Sequence, residues 1–483
     1  MKKQIILTAC FIAVLNGLFS CKKAFLEVVP MGKIVAKTTD DYDKLMNSRD
    51  FYYYRTEAGW VEPVLMGDEV AAEANYFGSE YIQQQLFKWA GNIYRLDDGE
   101  PLTMKLMLKN MYTCNKIIAE VMASEGGSED RKTVLQAEAK ATRAWLHFQF
   151  INYYAKPYFA ATASSDPGFP VIDKASTTDE QYARASVQEV YDFIIKDLKD
   201  AVAVLPVQVP AMRTRMCRPA AEGLLGKVYL FMGRYHDALP LLNDAFTNLE
   251  SSGRVTLYDY NKTFGPGGSF LPVDEYNGPH SPFNNYNDLT EDICTKFFAA
   301  SVAYSGVVLA PSAQELFSPG DLRLNFYTNR NPDGSPNASG RIRKYGTNYS
   351  RFGLQLAELY LMRAECRARL GDLQGAKTDL EILRRHRMPV GEAVVPNEIA
   401  GDQAALIPFI IEERVREFAM EGHRWFDMRR LSVDPLFAGK VITHTVYNSD
   451  NSTTVYTLKQ PERLVLRFAP YIMSANPGMP DNP

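Results

Sequence analysis

Ile411-Glu412-Glu413-Arg414-Val415-Arg416-Glu417-Phe418-Ala419-Met420-Glu421-Gly422-His423-Arg424-Trp425-Phe426-Asp427-Met428-Arg429-Arg430 crowds five carboxylates and five arginines into one stretch. Glu413, Glu417 and Glu421 recur one helical turn apart, with arginines three or four residues from them. Acid–Arg pairs at those spacings face each other on a helix and stabilise it. Paired carboxylates can also do acid/base chemistry. Here the guanidinium groups beside every acid favour structural ion pairs, on a single helix with Trp425 in the core.

The neighbouring sequence repeats a helical theme. Leu230-Phe231-Met232-Gly233-Arg234-Tyr235-His236-Asp237-Ala238 resembles Ala368-Arg369-Leu370-Gly371-Asp372-Leu373-Gln374-Gly375-Ala376. In both, a helix ends at Gly, and an Ala follows five residues later on the next helix. Leu242 and Leu380 correspond as well. Tetratricopeptide hairpins work this way: a small residue lets two helices approach and large ones fill the groove beside it. Such units need neighbours to bury their faces. The copies are widely separated, so the expectation is tetratricopeptide-like hairpins carrying long insertions.

Further helices follow from apolar periodicity. Met104–Met122 and Arg131–Tyr154 read as a helical hairpin, with Trp145 in the core. Ser186-Val187-Gln188-Glu189 fits a capping box opening a helix that ends near Pro206. Residues 251–349 are rich in Gly, Asn, Pro, Asp and Tyr, and read as a long irregular insertion. Residues 57–81 are irregular too. A hairpin is expected from Val441–Tyr447 and Thr453–Leu458, turning at Asn448–Ser452. The fold class is therefore mostly α, with a loop-rich insertion and a small β-hairpin near the C-terminus. The expected organisation is a signal (1–20), an N-terminal helical scaffold (21–250), the insertion (251–349), C-terminal helical repeats (350–431) and an irregular end (432–483).

Lys2 and Lys3, the mostly apolar Ile5–Phe19, and Leu18-Phe19-Ser20-Cys21 describe a secretory signal of lipoprotein type, with Cys21 as the acylated residue. The apolar stretch is too short for a span of about 20 residues. Removing residues 1–20 takes away two lysines and no acid, so the formal charge moves from −4 to −6. That balance is poor for nucleic-acid binding. Cys114, Cys217, Cys294 and Cys366 lack any CxxC spacing, so buried free thiols are favoured, one disulfide remaining open. No HExxH, GxSxG or oxygen-ligand calcium loop occurs, and Gly265-Pro266-Gly267-Gly268 lacks the Lys and Ser/Thr of a phosphate loop. No cofactor, metal site or catalytic residue is expected.

The 411–430 stretch closely resembles the signature ER-x-x-EF-x-x-EG-x-RW-x-D-x-x-R of the SusD/RagB family. Phe25-Leu26-Glu27, Gly67-Asp68-Glu69, Glu138-Ala139 with Arg143-Ala144, Arg184-Ala185-Ser186-Val187, Ala357–Glu365, and the closing Asn476-Pro477 and Asn482-Pro483 resemble the family in the right order. Tyr112 and Asn115 match more loosely, and the usual closing Pro-Gly-Tyr is missing. The resemblance implies a non-enzymatic outer-membrane lipoprotein facing outward. It would lie as a lid on a SusC-like TonB-dependent transporter and bind a glycan or, in some branches, a peptide. A protein-binding helical scaffold and a polysaccharide-degrading enzyme are the competing classes.

A sugar ligand needs aromatic faces for its C–H surfaces beside polar groups for its hydroxyls. Three loop clusters offer both: Trp60, Asn75, Tyr76 and Phe77; then Phe264, Phe270, Tyr276 and Asn277; then Phe283, Asn284, Asn285 and Tyr286. The residues expected at the ligand are Trp60, Asn75, Tyr76, Phe77, Tyr276, Phe283 and Tyr286. The competing expectation is that half or more of these rings pack loops onto the scaffold. Trp89 is ambiguous.

Overall fold

A computed structural model describes residues 36–55, 61–77, 81–95, 102–176, 181–299, 306–345 and 349–483. Cys21 and Trp60 lie outside them. The longer helices are α1 (Thr39–Met46), α2 (Leu102–Glu120), α3 (Glu129–Tyr154), α4 (Val187–Val204), α5 (Arg218–Phe231), α6 (Tyr235–Ser252), α7 (Leu356–Arg369), α8 (Leu373–Arg385), α9 (Gln403–Phe418) and α10 (His423–Leu431). Helices α2 to α6 pack side by side in sequence order, α6 packs on α7, and α7 takes both α8 and α9. The protein is mostly α-helical, and no helix among the described residues is long and apolar enough to cross a membrane.

The helix starts follow from local chemistry. Ser186 accepts the Glu189 N–H while Glu189 reaches back to the Ser186 N–H at 2.7 Å, completing the capping box of α4. The two echoed hairpins close identically. After α5, Gly233 N–H donates to Leu230 O and Arg234 N–H to Tyr229 O; after α7, Gly371 N–H donates to Ala368 O and Asp372 N–H to Arg367 O. These paired bonds form a Schellman motif, which needs a left-handed residue, and Gly233 and Gly371 sit at φ 71° and 86°. Ala238, Ala376, Leu242 and Leu380 are all fully buried. A Cβ on Gly226 would come within 2.7 Å of Leu242 Cδ2, so the glycine sets how closely α5 and α6 approach.

The 411–430 stretch is not one helix. It breaks between α9 and α10, where Met420 and Gly422 take φ 63° and 90°. The Ala419 carbonyl freed by the break accepts from Lys344 Nζ at 3.1 Å, and the Met420 N–H donates to Glu69 Oε1 at 3.4 Å. The break lets α10 fold back so that Asp427 meets Arg414 (2.7 Å) and Arg430 (2.8 Å). Trp425 is fully buried, as expected, and Trp145 is nearly so. Trp89 is buried as well; its indole donates to Met66 O and stacks on His444 at 3.7 Å.

A four-stranded sheet stands beside the helices: β1 (Val70–Glu73), β2 (Val307–Leu309), β3 (Thr443–Tyr447) and β4 (Thr453–Thr457), in the order β4-β3-β1-β2. The β3–β4 hairpin is the one expected from the sequence, with Tyr447 opposite Thr453. Strand β3 runs parallel to β1, pairing Tyr447 with Glu73, and β2 runs antiparallel, pairing Val307 with Ala72. This topology brings the turn after β1, the turn after β3 and Gly306 to one end of the sheet. The insertion adds a smaller hairpin, Tyr327–Thr328 with Arg343–Lys344, held to β2 by the Leu309 N–H donating to Ile342 O at 2.8 Å. Cys114, Cys217, Cys294 and Cys366 are buried free thiols.

Candidate functional site

Four turns meet at that end of the sheet. The turn after β1 is pinned on both sides: Glu73 N–H donates to Gly306 O at 2.7 Å and Ala74 N–H to Tyr447 O at 2.9 Å. A Cβ on Gly306 would lie 2.1 Å from Phe77 N, so only a bare backbone fits there. The turn after β3 reaches across, Ser449 donating its hydroxyl to Asn75 Oδ1 at 2.5 Å. The 327–344 hairpin is tied down by Glu73, which accepts from Asn337 Nδ2 at 3.1 Å and Arg341 Nε at 2.6 Å. Arg341 also lies 3.7 Å over the Tyr447 ring. At the hairpin tip, Asp333 accepts the Ser335 N–H and hydroxyl on one oxygen and the Tyr76 hydroxyl, at 3.0 Å, on the other.

The fourth turn carries Tyr276. Asp274 Oδ1 accepts from the N–H groups of Tyr276 and Asn277 at 2.9 and 2.7 Å, an arrangement typical of Asx turns. Tyr276 then stands 67% exposed with its ring against Gly334, where a Cβ would sit 3.1 Å from Cε1. Glu275 pairs with Arg330, and Arg330 also donates to Gly334 O at 2.9 Å, locking this turn to the hairpin. Asn75, Tyr76, Tyr276 and Asp333 therefore share one rigid, solvent-facing surface. Donors within each turn hold the carboxyls below the ordinary aspartate range: the Asn277 and Tyr276 N–H groups for Asp274, the Ser335 hydroxyl and N–H for Asp333, and the Ser452 hydroxyl and N–H for Asp450. All three stay anionic at neutral pH.

Of the other expected residues, Trp60 lies outside the described residues, Phe77 belongs to the turn after β1 but packs inward, and Phe283 and Tyr286 lie elsewhere. Phe77 is half-buried and packs on Phe87 with centroids 5.0 Å apart. Phe283 packs on Phe326 at 5.4 Å, under the Lys344 ammonium. Phe264 and Phe270 join Tyr260 and Phe326 in the same packed cluster. Tyr286 is 41% exposed in a separate cluster with Tyr53, Tyr349 and Phe297. Asp333, Arg341 and Tyr447 were not singled out in the sequence. Asn331-Pro332-Asp333-Gly334 is a turn signature that marks the hairpin tip, but it carries no sign of what the tip would touch.

Four of the five acids of the 411–430 stretch are committed to ion pairs; Glu412, half-buried, lines a groove beside the two helices. Glu413 meets Arg323, Arg384 and Arg416 at 2.8, 2.6 and 2.9 Å; Glu417 meets Arg323 and Arg387; Glu421 meets Lys344. Burial pushes the Asp427 carboxyl up, but the Arg414 and Arg430 guanidinium groups outweigh it and hold the group well below its ordinary range. A groove of about 470 Å³ runs beside α9 and α10, lined by Ile411, Val415, Met428, Leu431, Phe437 and Ile442. It offers a single half-buried aromatic ring beside polar residues such as Ser312, Glu412, Ser432, Lys440 and Gln460, so it gives a sugar less stacking surface than the four-turn face. Its floor holds Asp68, which accepts twice from Arg424 at 2.6 and 3.0 Å, and Glu69. Gly67-Asp68-Glu69 and the 411–430 stretch thus clasp each other.

Two family models match the chain. One, described as starch-binding proteins associating with the outer membrane, matches residues 57–230; the other, the SusD family, matches residues 282–470. The chain belongs to the SusD/RagB family. Solved SusD proteins share its fold. A SusD superfamily protein from Bacteroides thetaiotaomicron VPI-5482 is 18% identical with a TM-score of 0.69, covering 92% of this chain and 100% of that one. A SusD-like carbohydrate-binding protein from Bacteroides vulgatus ATCC 8482 is 17% identical with a TM-score of 0.64, covering 92% and 97%. No curated protein matches the chain. SusD membership makes this a carbohydrate-binding type of protein associated with the outer membrane, and its clasped signature stretch is the scaffold of the fold.

Proposed function

We propose that this protein is a cell-surface nutrient-binding lipoprotein that captures a glycan and hands it to a SusC-like TonB-dependent transporter, without cleaving it. The observation that carries the reading is the four-turn face, where Asn75 and Tyr76, Tyr276 and Asp333 converge from three segments, with Ser449 of a fourth bonded to Asn75, on a SusD scaffold. An exposed ring held rigidly beside carboxylate and amide oxygens meets both needs of a sugar: a flat surface for C–H stacking and acceptors for hydroxyls. The face is preorganised, so little ordering has to accompany binding. Cys21, after Leu18-Phe19-Ser20, is the lipid anchor in this reading, and the outward-facing position comes from the family resemblance. Tyr286 and Trp60 are further candidate contacts.

Glu413, Glu417, Glu421 and Asp427 support a non-catalytic role, because each is held by buried arginines or Lys344. The test is binding of the purified protein to soluble polysaccharides and peptides, with product analysis on the same samples. Saturable binding without new reducing ends supports the reading. Cleavage products would replace it with the enzyme reading, and binding to a partner protein alone would replace it with the scaffold reading.

A further inference from the structure

We propose that the four-turn face selects an uncharged oligosaccharide and turns away uronic-acid and sulfated glycans; this rests on that face being the ligand site. The argument is one of charge and of which charges are already engaged. The four turns carry the carboxylates Glu73, Asp274, Glu275, Asp333 and Asp450. Against them stand three guanidinium groups, each committed to the protein itself. Arg330 is paired with Glu275 and donates to Gly334 O. Arg341 is paired with Glu73 and covers the Tyr447 ring. Arg343 donates to Arg330 O at 2.7 Å and to Asn331 O at 3.3 Å. The turns hold no lysine, and the nearby Lys344 is buried against Glu421 and Ala419 O.

Recognition of a ligand carboxylate or sulfate uses guanidinium or ammonium donors free to turn outward. None is present among the described residues of these turns. The exposed, anionic Asp333 and Asp450 would instead repel such a group. An uncharged sugar meets no such penalty. Its hydroxyls are donors, and the carboxylates accept from them in charge-assisted bonds. The Asn75 amide nitrogen, which has no partner among the described residues, is a donor for a ring or hydroxyl oxygen. Tyr276 supplies the stacking surface between them.

The test is titration calorimetry of the purified protein against two sets of soluble polymers. The neutral set is amylopectin, dextran, xylan, galactan and mannan; the acidic set is polygalacturonate, alginate, chondroitin sulfate and heparin, with a tryptic casein digest as the peptide arm. Tyr276→Ala marks the site. Binding of a neutral polymer, weakened roughly two- to twelvefold by Tyr276→Ala, with acidic polymers weaker than the neutral ones by roughly tenfold at low salt and recovering as salt screens the repulsion, supports the inference. An acidic polymer or the peptide digest binding tightest, and losing that binding in Tyr276→Ala, overturns the inference while leaving the site in place. Binding that ignores both Tyr276→Ala and Tyr76→Ala, or no binding by any polymer, overturns the site reading and the inference with it.

Discussion

The Tyr76 hydroxyl donates to Asp333 Oδ2 at 3.0 Å, joining two turns that lie 257 residues apart in the chain. The bond has no role in the core, since both groups face solvent. Its consequence is geometric: it holds the Tyr76 ring beside the hairpin tip. Tyr76→Phe and Asp333→Ala are therefore expected to leave the urea midpoint of the protein unchanged while weakening glycan binding several-fold. Calorimetry and urea melts on the same preparations check this. Equal loss of stability and affinity would make the bond part of the fold instead.

Tyr276 and Phe270 lie in one aromatic-rich loop region and should separate cleanly. Tyr276 is 67% exposed and Phe270 is 2% exposed. Tyr276→Ala is expected to stay within about 0.5 kcal/mol of the parent in stability. It should cost binding by the worth of one stacking ring, about 0.5–1.5 kcal/mol. Phe270→Ala opens a void among Tyr258, Tyr260 and Phe326, and is expected to destabilise by about 3–5 kcal/mol. Chemical denaturation followed by binding at a fully folded condition distinguishes the two effects.

Those two residues also show what could be read from sequence. Periodicity located the helices because burial repeats every turn, and α3 and α4 begin and end within about two residues of expectation. The capping box at Ser186 and the paired glycine turns at Gly233 and Gly371 are local chemistry, so a few neighbouring residues specify them. Loop aromatics have no such period. Tyr276 and Phe270 sit in similar Gly/Pro/Asn-rich surroundings, and only tertiary packing buries one and exposes the other. The break at Met420 escaped for a related reason: what satisfies Ala419 O and the Met420 N–H comes from Lys344 and Glu69, both far away in the chain. Asp333 was missed because its partner is Tyr76.

Arg430 grips Glu365 with two parallel bonds of 2.8 and 2.7 Å, and both side chains are nearly or fully buried. Removing one partner leaves the other charge desolvated, which typically costs about 3–5 kcal/mol. Glu365→Ala is therefore expected to lower the stability of the whole helical scaffold by about that amount, because α7 and α10 meet through this pair. The exposed pair Lys196–Asp200 is the control, and Lys196→Ala should change stability by less than about 1 kcal/mol. Urea unfolding of the three proteins measures the difference. A Glu365→Ala cost no larger than that of the control would mean the buried network reorganises around the gap.

Glu69 should make stability fall with pH over a range where most surface carboxylates are silent. Burial, reinforced by the Asp68 carboxylate beside it, pushes the Glu69 carboxyl up from an ordinary 4.5 to about 8. Its Oε2 has no hydrogen-bond partner among the described residues. Between these two values the folded state holds a proton that the unfolded chain has lost, so stability declines as pH rises. The contribution is fully present below about pH 4.5, is lost as pH rises through about 8, and changes no further once both states are ionised. Glu69→Gln removes the titration but keeps an oxygen for the Met420 N–H. The carboxyls held low by arginines, Asp427 among them, lose their contribution only at acid pH, and the buried His147 and His444, pushed down to about 3 and 4, add stability toward pH 6.5 in both proteins alike, so the difference between parent and Glu69→Gln isolates Glu69. Relative to Glu69→Gln, the parent is expected to lose melting temperature steadily from pH 5.5 to 8.5. Parallel profiles for the two proteins would show that Glu69 is already ionised in the folded state at neutral pH.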